Sequence, residues 1–330
     1  MRLGLTYDVQ TDPTDWRQAE FDPPRVIEQV YQALADIGHD VVRLGNAQEL
    51  LANRARLAGV ELVFNLAEGA HGRCREAWVP TLLELLSVPY VGSDALALCL
   101  GLDKVASKQL AAASDFSTPA WIMIDRPATL PTRLPFTWPA IVKPRYEGSG
   151  MGIDEGAVVS DAAALRRRVA WAWERFQQPL LVEQFIPHGE LTVCLIGNNP
   201  PVAYPPIQRP IDPHSRLSCH VAPGAGGSWI APLHLNEPLE SQARHIALTM
   251  FAELGCADMA RVDLRVDERG RVWFLEINPL PSFDPAGSLG LLAEHLNLSY
   301  ARLLERILDA ACTRLHLSME IRHDHSKRSA

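Results

Sequence analysis

Two acids and an amide in residues 261–278 have the types and spacing of a metal-binding hairpin. Asp263 lies in the first of two apolar stretches, and Glu276 and Asn278 lie in the second. A polar turn at 267–270 separates the stretches, which predicts a β-hairpin. Because side chains alternate faces along a strand, the spacing predicts that the three polar side chains share one face. Carboxylate and amide oxygens, with water and substrate phosphates, are the ligands that Mg²⁺ prefers.

The register of this hairpin decides how close the acids come. With the turn at 267–270, Asp263 is expected opposite Phe274 and diagonal to Glu276, with about 7 Å between the Cβ atoms of the two acids. Phe274 would then share the face of the acids, and Leu275 would lie on the other face. Acids on the wet face of an amphipathic hairpin are also common, so this segment alone leaves both interpretations open.

A second candidate site lies at residues 138–152, where a short apolar strand ends in Lys143 and runs into a glycine-rich loop. Backbone N–H groups around Gly148, Ser149 and Gly150 could approach an anion closely, and the lysine adds a positive charge. The segment lacks the P-loop pattern. Taken alone, it could equally be an ordinary turn.

Two further acids stand near strand ends. Glu183 closes the apolar stretch from residue 180, where the chain could hydrogen-bond an adenine edge, and Glu190 begins another strand with an acid suited to ribose hydroxyls. In isolation, either acid is also typical of an ordinary strand end.

Taken in order, these segments resemble the ATP-grasp enzymes, and among them the D-alanine–D-alanine ligase-like family. The resemblance extends over about residues 60–290. Residues 68–76 (Glu-Gly-Ala-His-Gly-Arg-Cys-Arg-Glu), 82–93 and 102–108 are similar to the amino-terminal signature of that family. Several separated motifs in one order are far more specific than any one of them.

The matched residues fall into groups that bind the nucleotide, a metal ion and an amino acid. The resemblance implies ATP as the nucleotide and Mg²⁺ as the ion, with Mn²⁺ as an alternative. For the nucleotide, the implied roles are Lys104 and Lys143 at the α and β phosphates, Ser149 with Gly148 and Gly150 in the loop over the γ phosphate, Glu183 at adenine and Glu190 at ribose. The implied metal ligands are Asp263, Glu276 and Asn278. Arg261 is implied at the transferred phosphate and the later oxyanion, and His71 and Glu76 at the amino-acid subsite.

The activity implied by the resemblance is ATP-dependent joining of a carboxylate to an amine. The γ-phosphoryl group is moved onto the carboxylate, and the amine then displaces phosphate from the acyl phosphate. We expect the 147–152 loop to be a mobile lid that excludes water. D-Alanyl-D-alanine is the leading product. Another dipeptide, a specialised-metabolite amide, or a nucleotide-binding scaffold or regulator without turnover are the alternatives, and the presence of Arg261 beside the metal ligands speaks against the last.

Three departures from D-alanine–D-alanine ligases concern the substrate. The amino-terminal Glu-Val-Ser box is missing, and a polar stretch at 8–22 follows the first strand. Glu20 or Asp22 could bind an ammonium there, although solvated loop acids are commoner. Residues 205–229 occupy the place of the substrate-loop tyrosine, and residues 281–282 read Pro-Ser where the family usually has Pro-Gly.

Composition narrows the class of protein. The chain has 330 residues, of which 47% are hydrophobic, and a formal net charge of −8. A negative balance argues against general nucleic-acid or membrane-surface binding, so we expect small amino-acid or amine substrates. The six cysteines show no CxxC pair, and no signal peptide or membrane-spanning run is evident, which favours reduced thiols in the cytoplasm. The resemblance also implies a homodimer.

The resemblance implies an α/β (α+β) fold, namely an ATP-grasp fold with an amino-terminal preATP-grasp domain. Strand and helix signals alternate in the first hundred residues, which predicts that this domain is a parallel α/β unit. The sequence also predicts a helix that is capped by Ser160 and a helix over residues 286–312. The expected boundaries are 1–102 for the amino-terminal domain, 103–186 for the central subdomain with the lid, 187–315 for the carboxyl-terminal domain with the metal site, and 316–330 for a disordered tail.

Overall fold

The amino-terminal part of the chain is a parallel α/β unit, as predicted. The computed structural model describes residues 1–219 and 229–318. Strands β1 (Arg2–Thr6), β2 (Asp40–Gly45), β3 (Leu62–Asn65) and β4 (Tyr90–Val91) form a sheet of order β2-β1-β3-β4 in which every pair is parallel. The helices that follow or precede these strands are α1 (Pro24–Asp36), α2 (Ala47–Ala52), α3 (Trp78–Leu85), α4 (Ala95–Leu102) and α5 (Lys104–Ala113).

The central part is a four-stranded antiparallel sheet covered by one helix. Its order is β5-β8-β6-β7, and its apolar side packs on α6 (Ala162–Phe176). The cap of α6 is Asp161, whose carboxylate accepts from the backbone of Ala163 and Ala164. The prediction of Ser160 as the cap is therefore wrong by one residue, because both side chains can cap and the helix starts one position later. The strands are β5 (Trp121–Ile124), β6 (Ala140–Pro144), β7 (Val158–Val159) and β8 (Leu180–Gln184).

The third sheet carries the hairpin that contains the acids. Its order is β10-β9-β12-β13, with β11 also paired to β9, and α7 (Glu237–Leu254) covers its apolar face. Asn236 caps the start of α7 and Gly255 ends it in the left-handed conformation, at φ 69°. The strands are β9 (Gly189–Ile196), β10 (Val202–Ala203), β11 (Ile207–Arg209), β12 (Met259–Val266) and β13 (Val272–Asn278).

A β-bulge changes the register that the hairpin pattern predicts. Asp263 pairs directly with Glu276, and Leu264 pairs with Phe274, which leaves Leu275 as the extra residue. The prediction that Asp263 lies opposite Phe274 is wrong, and so are the faces assigned to Phe274 and Leu275. Phe274 is fully buried in the apolar core, whereas Leu275 lines a cavity. An extra residue in one strand shifts the alternation of side chains, and this shift brings the acids closer together.

The carboxyl-terminal helices return to the amino-terminal sheet. The predicted helix at 286–312 is two helices, α8 (Ser288–His295) and α9 (Tyr300–Leu315). Asn297 between them has φ 53° and Ser299 caps the second. Helix α9 packs against α1 in the same core as β1 and β3. Residues 319–330 of the predicted tail, and residues 220–228, lie outside the described residues.

No helix among the described residues is long and apolar enough to cross a lipid bilayer. All six cysteines are free thiols.

Candidate active site

Two cavities meet where the three sheets come together. The first, here called the acidic cavity, has a volume of about 260 Å³ and lies between the amino-terminal unit and residues 277–284. The second, here called the two-sheet cavity, has a volume of about 240 Å³ and lies between the central and third sheets. Residues from all three parts of the chain line each cavity. Six of these residues line both cavities and form the boundary between them. The boundary residues are Lys104, Gly148, Ser149, Arg261, Glu276 and Ser282.

The predicted metal ligands lie in two residue pairs of the β12–β13 ladder that are separated by one pair. Asp263 is opposite Glu276, and Arg261 is opposite Asn278. The Asp263 carboxylate accepts hydrogen bonds from Thr192 Oγ1 at 2.8 Å and from Asn278 Nδ2 at 3.2 Å. Arg261 also forms an ion pair with Asp263 at 2.9 Å. The structure thus brings the four residues of the predicted set together.

This set suits a hard cation that also contacts a substrate. The ligand atoms would be carboxylate and amide oxygens, which fit Mg²⁺ or Mn²⁺. Among the described residues no group of three or more His, Cys, Asp or Glu side chains is arranged to hold a metal ion. Two acids and one amide therefore make an incomplete shell, of the kind that phosphate oxygens and water complete.

Three lysines supply positive charge along the cleft. Lys104 Nζ lies 3.0 Å from Glu276, while Lys108 and Lys143 lie 2.8 and 2.5 Å from opposite oxygens of Glu183. Burial alone would raise the pKa of Glu183, but the two lysines outweigh it and lower that pKa to about 2. Burial would also raise the pKa of Glu276, but Lys104 and Lys143 outweigh it and lower that pKa to about 2. Both acids are therefore ionised at neutral pH.

The carboxylate of Glu183 orients lysines. Lys108 is fully buried and also donates to Thr118 Oγ1 at 2.6 Å. The spacing of Lys104 and Lys108 on α5 places both toward the cleft, but the sequence gives no signal that Lys108 is the buried partner of Glu183. Lys143 lines the two-sheet cavity, as Lys104 does, so a ligand there would meet Lys143 but not the buried Lys108.

Arginines surround the other end of the two-sheet cavity. Arg265 pairs with Glu190 at 3.0 Å and lies over the Phe185 ring, 5.1 Å from its centroid. Arg209 also lines the cavity, and its buried Nε has no hydrogen-bond partner among the described residues. The part of residues 205–229 that the structure describes thus contributes positive charge to this cavity. His220 and the glycine-rich patch at 224–227, which belong to the same segment, lie outside the described residues.

The glycine-rich loop is held by the amino-terminal unit. Gly148 N–H donates to Glu20 Oε1 at 2.7 Å, and Lys104 Nζ donates to the Glu147 carbonyl at 2.6 Å. Ser149 adopts φ 47°, a left-handed conformation that is uncommon for a residue with a side chain and that clusters at functional sites. The loop therefore closes over the boundary of the two cavities.

Glu20 is a buried partner, so its assignment as a solvated loop acid is wrong. Its side chain is 7% exposed and pairs at 2.5 Å with Arg75, whose side chain is 2% exposed. The stretch at 8–22 folds back across the cleft because Trp16 packs edge-on against Phe176, with ring centroids 4.9 Å apart. Trp16, an aromatic residue within a polar stretch, is the feature of the sequence that could have indicated this docking.

The two residues predicted at the amino-acid subsite separate. Glu76 is buried and lines the acidic cavity. His71 is exposed, lines neither cavity, and contacts Trp78 edge-on at 5.8 Å between ring centroids. Glu68 and Asp22 line the acidic cavity with Glu76, and sequence reasoning did not place Glu68 there.

Comparisons with known proteins agree with this geometry. Residues 112–309 match the family model described as "D-ala D-ala ligase C-terminus". A D-alanine–D-alanine ligase of Syntrophotalea carbinolica is 32% identical, over 88% of this chain and 91% of that protein. The corresponding ligase of Bordetella petrii is 30% identical, over 87% and 86%.

A solved structure shows the same fold. The D-alanine–D-alanine ligase of Bacillus anthracis, in a complex with ATP, superposes with a TM-score of 0.74 at 20% identity, over 96% of this chain and 99% of that one. The family model covers more than half of the chain, and the relatives match nearly its full length. The chain belongs to the D-alanine–D-alanine ligase-like family of ATP-grasp proteins.

Proposed function

We propose that the chain is an ATP-dependent, ADP-forming ligase that joins an amino-acid carboxylate to an amine. The observation that carries the proposal is the shared boundary of the two cavities. A triphosphate in the two-sheet cavity and an amino acid in the acidic cavity would meet beside Lys104, Arg261 and Glu276. A scaffold that only bound nucleotide would not need the second cavity at that point.

The nucleotide is assigned to the two-sheet cavity. Its phosphates would contact Lys104 and Lys143, and Gly148, Ser149 and Gly150 would cover the γ phosphate. Glu190 would bind ribose, while residues 184–186 line the wall beside adenine. For Glu183, the two lysine contacts support a role in orienting Lys143 more than a direct contact with adenine.

The reaction needs charge neutralisation in a dry site. A carboxylate is a poor acyl donor, and moving the γ-phosphoryl group onto it makes phosphate the leaving group. Phosphoryl transfer depends on positioning and on compensation of negative charge, which the lysines and Arg261 supply. Mg²⁺ held by Asp263, Glu276 and Asn278 would supply further charge compensation. Closure of the glycine-rich loop would keep water from the acyl phosphate.

The amine then forms the amide bond. Its neutral nitrogen attacks the acyl carbon, the C–O bond to phosphate breaks, and a proton leaves the nitrogen. Arg261 lines both cavities, so it can stabilise first the transferred phosphate and then the oxyanion. The relatives named D-alanine–D-alanine ligase make ligation of D-alanine the first reaction to measure.

The test is release of ADP and phosphate across a matrix of D- and L-amino acids and amines, with the mass of each product determined. ADP formed together with an amide in equal amounts supports the proposal. Absence of release with every pair would favour a nucleotide-binding scaffold. The homodimer implied by the resemblance and the cytoplasmic location favoured by the cysteine usage stay predictions, which sedimentation and cell fractionation would measure.

A further inference from the structure

One buried arginine of the two-sheet cavity has no part in the proposed reaction. Arg265 lies on β12 two residues beyond Asp263, so both side chains point to the same face of the third sheet. Arg265 lines the two-sheet cavity but not the acidic cavity, whereas Arg261 lines both. Arg265 therefore lies on the nucleotide side and is not one of the residues at the boundary.

The guanidinium of Arg265 joins three parts of the cavity wall. Arg265 and Glu190 are directly paired in the ladder between β12 and β9, and Nη2 lies 3.0 Å from Glu190 Oε2. Nη1 donates to the carbonyl oxygen of Arg216 at 3.0 Å. The group also lies over the ring of Phe185, which directly follows β8. One side chain thus connects β9, the chain after β8 and the described part of residues 205–229.

The ion pair of Arg265 and Glu190 is shielded from water. The two side chains are 5% and 7% exposed. A buried ion pair is seldom more stabilising than apolar residues of the same volume, so orientation of the carboxylate explains this pair better than stability does. Fixing a glutamate side chain in one conformation costs up to about 2 kcal/mol of conformational entropy. Arg265 supplies the contact that fixes Glu190 before a ligand arrives.

The contact with the Arg216 carbonyl extends to the wall beside adenine. Leu217 follows Arg216, is fully buried and packs in one cluster with Phe185 and Ile141. These three apolar side chains all line the two-sheet cavity. Arg265 therefore holds both a carboxylate and part of an apolar wall at the end of the cavity that we assign to adenosine.

Resting on the proposed ligase function, we propose that Arg265 is a positioning residue for the nucleotide, which holds the Glu190 carboxylate toward the ribose hydroxyls of ATP. Arg265 acts through Glu190 and does not itself contact phosphate. A site built to accept hydrogen bonds from hydroxyl groups disfavours an analogue without them, because a buried acceptor then loses a partner. The position of Glu190 should therefore determine how strongly the enzyme prefers ATP to deoxyribonucleotides.

The experiment compares nucleotides that differ in one ribose hydroxyl. With Mg²⁺ and a substrate pair that supports turnover, kcat/KM is measured for ATP, 2′-deoxyATP and 3′-deoxyATP. We expect the unmodified protein to prefer ATP to at least one analogue by about tenfold or more, equivalent to about 1.4 kcal/mol. Arg265→Met keeps an unbranched side chain over Phe185 and should lose most of this preference, through KM rather than kcat. An equal preference in both proteins, or none in the unmodified protein, would overturn the inference.

A double variant separates orientation of Glu190 from a general loss of structure. Glu190→Gln should remove the same preference, and adding Arg265→Met should lower it no further, because residues that act together show non-additive effects. Breaking a buried ion pair on one side can prevent folding, and the double variant, which removes both charges, avoids that outcome. Arg269→Met, exposed at the turn of the same hairpin, is the control and should keep the preference. Additive losses in the double variant would contradict the assignment.

A binding measurement separates failure of this inference from failure of the ligase proposal. If no substrate pair released ADP, the ligase proposal would fail, and calorimetry with Mg²⁺ and each of the three nucleotides would still test the role of Arg265. Tighter binding of ATP that is lost in Arg265→Met supports that role. A loss of affinity by the same factor for all three nucleotides would indicate a direct contact with phosphate or base, and would refute it.

Discussion

At the residue scale, the site is a set of acids that already have cations beside them. Asp263 pairs with Arg261, and Glu276 pairs with Lys104. The sequence singles out the hairpin residues among them because their alternate spacing predicts that they share one face of a hairpin. The segment alone leaves a solvent-exposed face equally open, so the resemblance to the family carried the choice, and neither could predict how close the acids lie. Residues 273–275 are all apolar, so the sequence does not show which of them face the core. The bulge that sets Asp263 opposite Glu276 therefore could not be seen in the alternation of polar and apolar residues.

Glu276→Gln tests the metal and phosphate role of the carboxylate. The amide keeps the size of the side chain but loses the charge that Lys104 and a divalent ion both need. We predict loss of Mg²⁺-dependent ADP release by at least about 100-fold, equivalent to about 2.7 kcal/mol, with an unchanged circular dichroism spectrum. Turnover like that of the unmodified protein would remove Glu276 from the mechanism.

Lys143→Ala tests the nucleotide cavity. The substitution removes a positive charge from the cavity and leaves Glu183 with Lys108 as its lysine partner. We predict that the dissociation constant for ATP rises by at least about tenfold, which is about 1.4 kcal/mol. Titration with a fluorescent ATP analogue measures it, and the exposed Arg126→Ala serves as the control. Nucleotide affinity that stays the same in both variants would refute the role of Lys143.

At the element scale, the 8–22 segment and the glycine-rich loop act on each other. The segment brings Glu20 under Gly148 and against Arg75. Loop and segment are far apart in sequence, and composition alone suggests that both are solvated. Sequence reasoning therefore found the loop, whose glycines have local meaning, and misplaced Glu20, whose role exists only after Trp16 docks on α6.

Glu20→Ala tests whether this contact keeps the loop closed. The change removes the acceptor of the Gly148 N–H and the closest partner of Arg75, so the loop should open more often and admit water. We predict more ADP per amide formed and a lower melting temperature. Measuring both products by mass spectrometry gives the ratio. Asp12→Ala, exposed on the same segment, should leave it unchanged, and an unchanged ratio in Glu20→Ala would contradict the account.

At the scale of the whole molecule, charge is sorted between the two cavities. Five lysines and arginines and five acids line the two-sheet cavity, whereas two cations and six acids line the acidic cavity, within a chain of net charge −8. The sequence predicted the parallel amino-terminal unit because strand and helix signals alternate in the first hundred residues. It did not predict the sorting, because acids from the 8–22 segment, from residues 68–76 and from the 279–284 turn meet only in the folded chain.

Stability should fall as the pH rises from about 4 to about 7. The pKa of Asp22 is about 7 in the folded protein and near 3.8 in the unfolded chain. Between these values the folded state retains a proton that the unfolded state has lost, so the free energy of unfolding decreases with pH by up to about 1.4 kcal/mol per pH unit. Glu183 and Glu276, with pKa values of about 2, act in the opposite direction only below about pH 4.5.

Asp22→Asn should flatten this dependence. The neutral amide does not titrate, so the ligand-free variant should lose less stability between pH 5 and 8 than the unmodified protein. Chemical unfolding at a series of pH values measures how the free energy of unfolding changes with pH. Glu253→Gln, exposed on α7, is the control. Identical slopes for Asp22→Asn and the unmodified protein would show that Asp22 is ionised throughout.

Transfer of oxygen from the carboxylate to phosphate tests the central claim most directly. D-Alanine labelled with ¹⁸O in its carboxylate is incubated with Mg²⁺, ATP and an amine that supports turnover, and the released phosphate is analysed by mass. An acyl phosphate intermediate predicts one ¹⁸O atom in each phosphate released, in step with ADP and amide. Unlabelled phosphate would mean that water had cleaved ATP, and release of AMP with pyrophosphate would contradict phosphoryl transfer at this site.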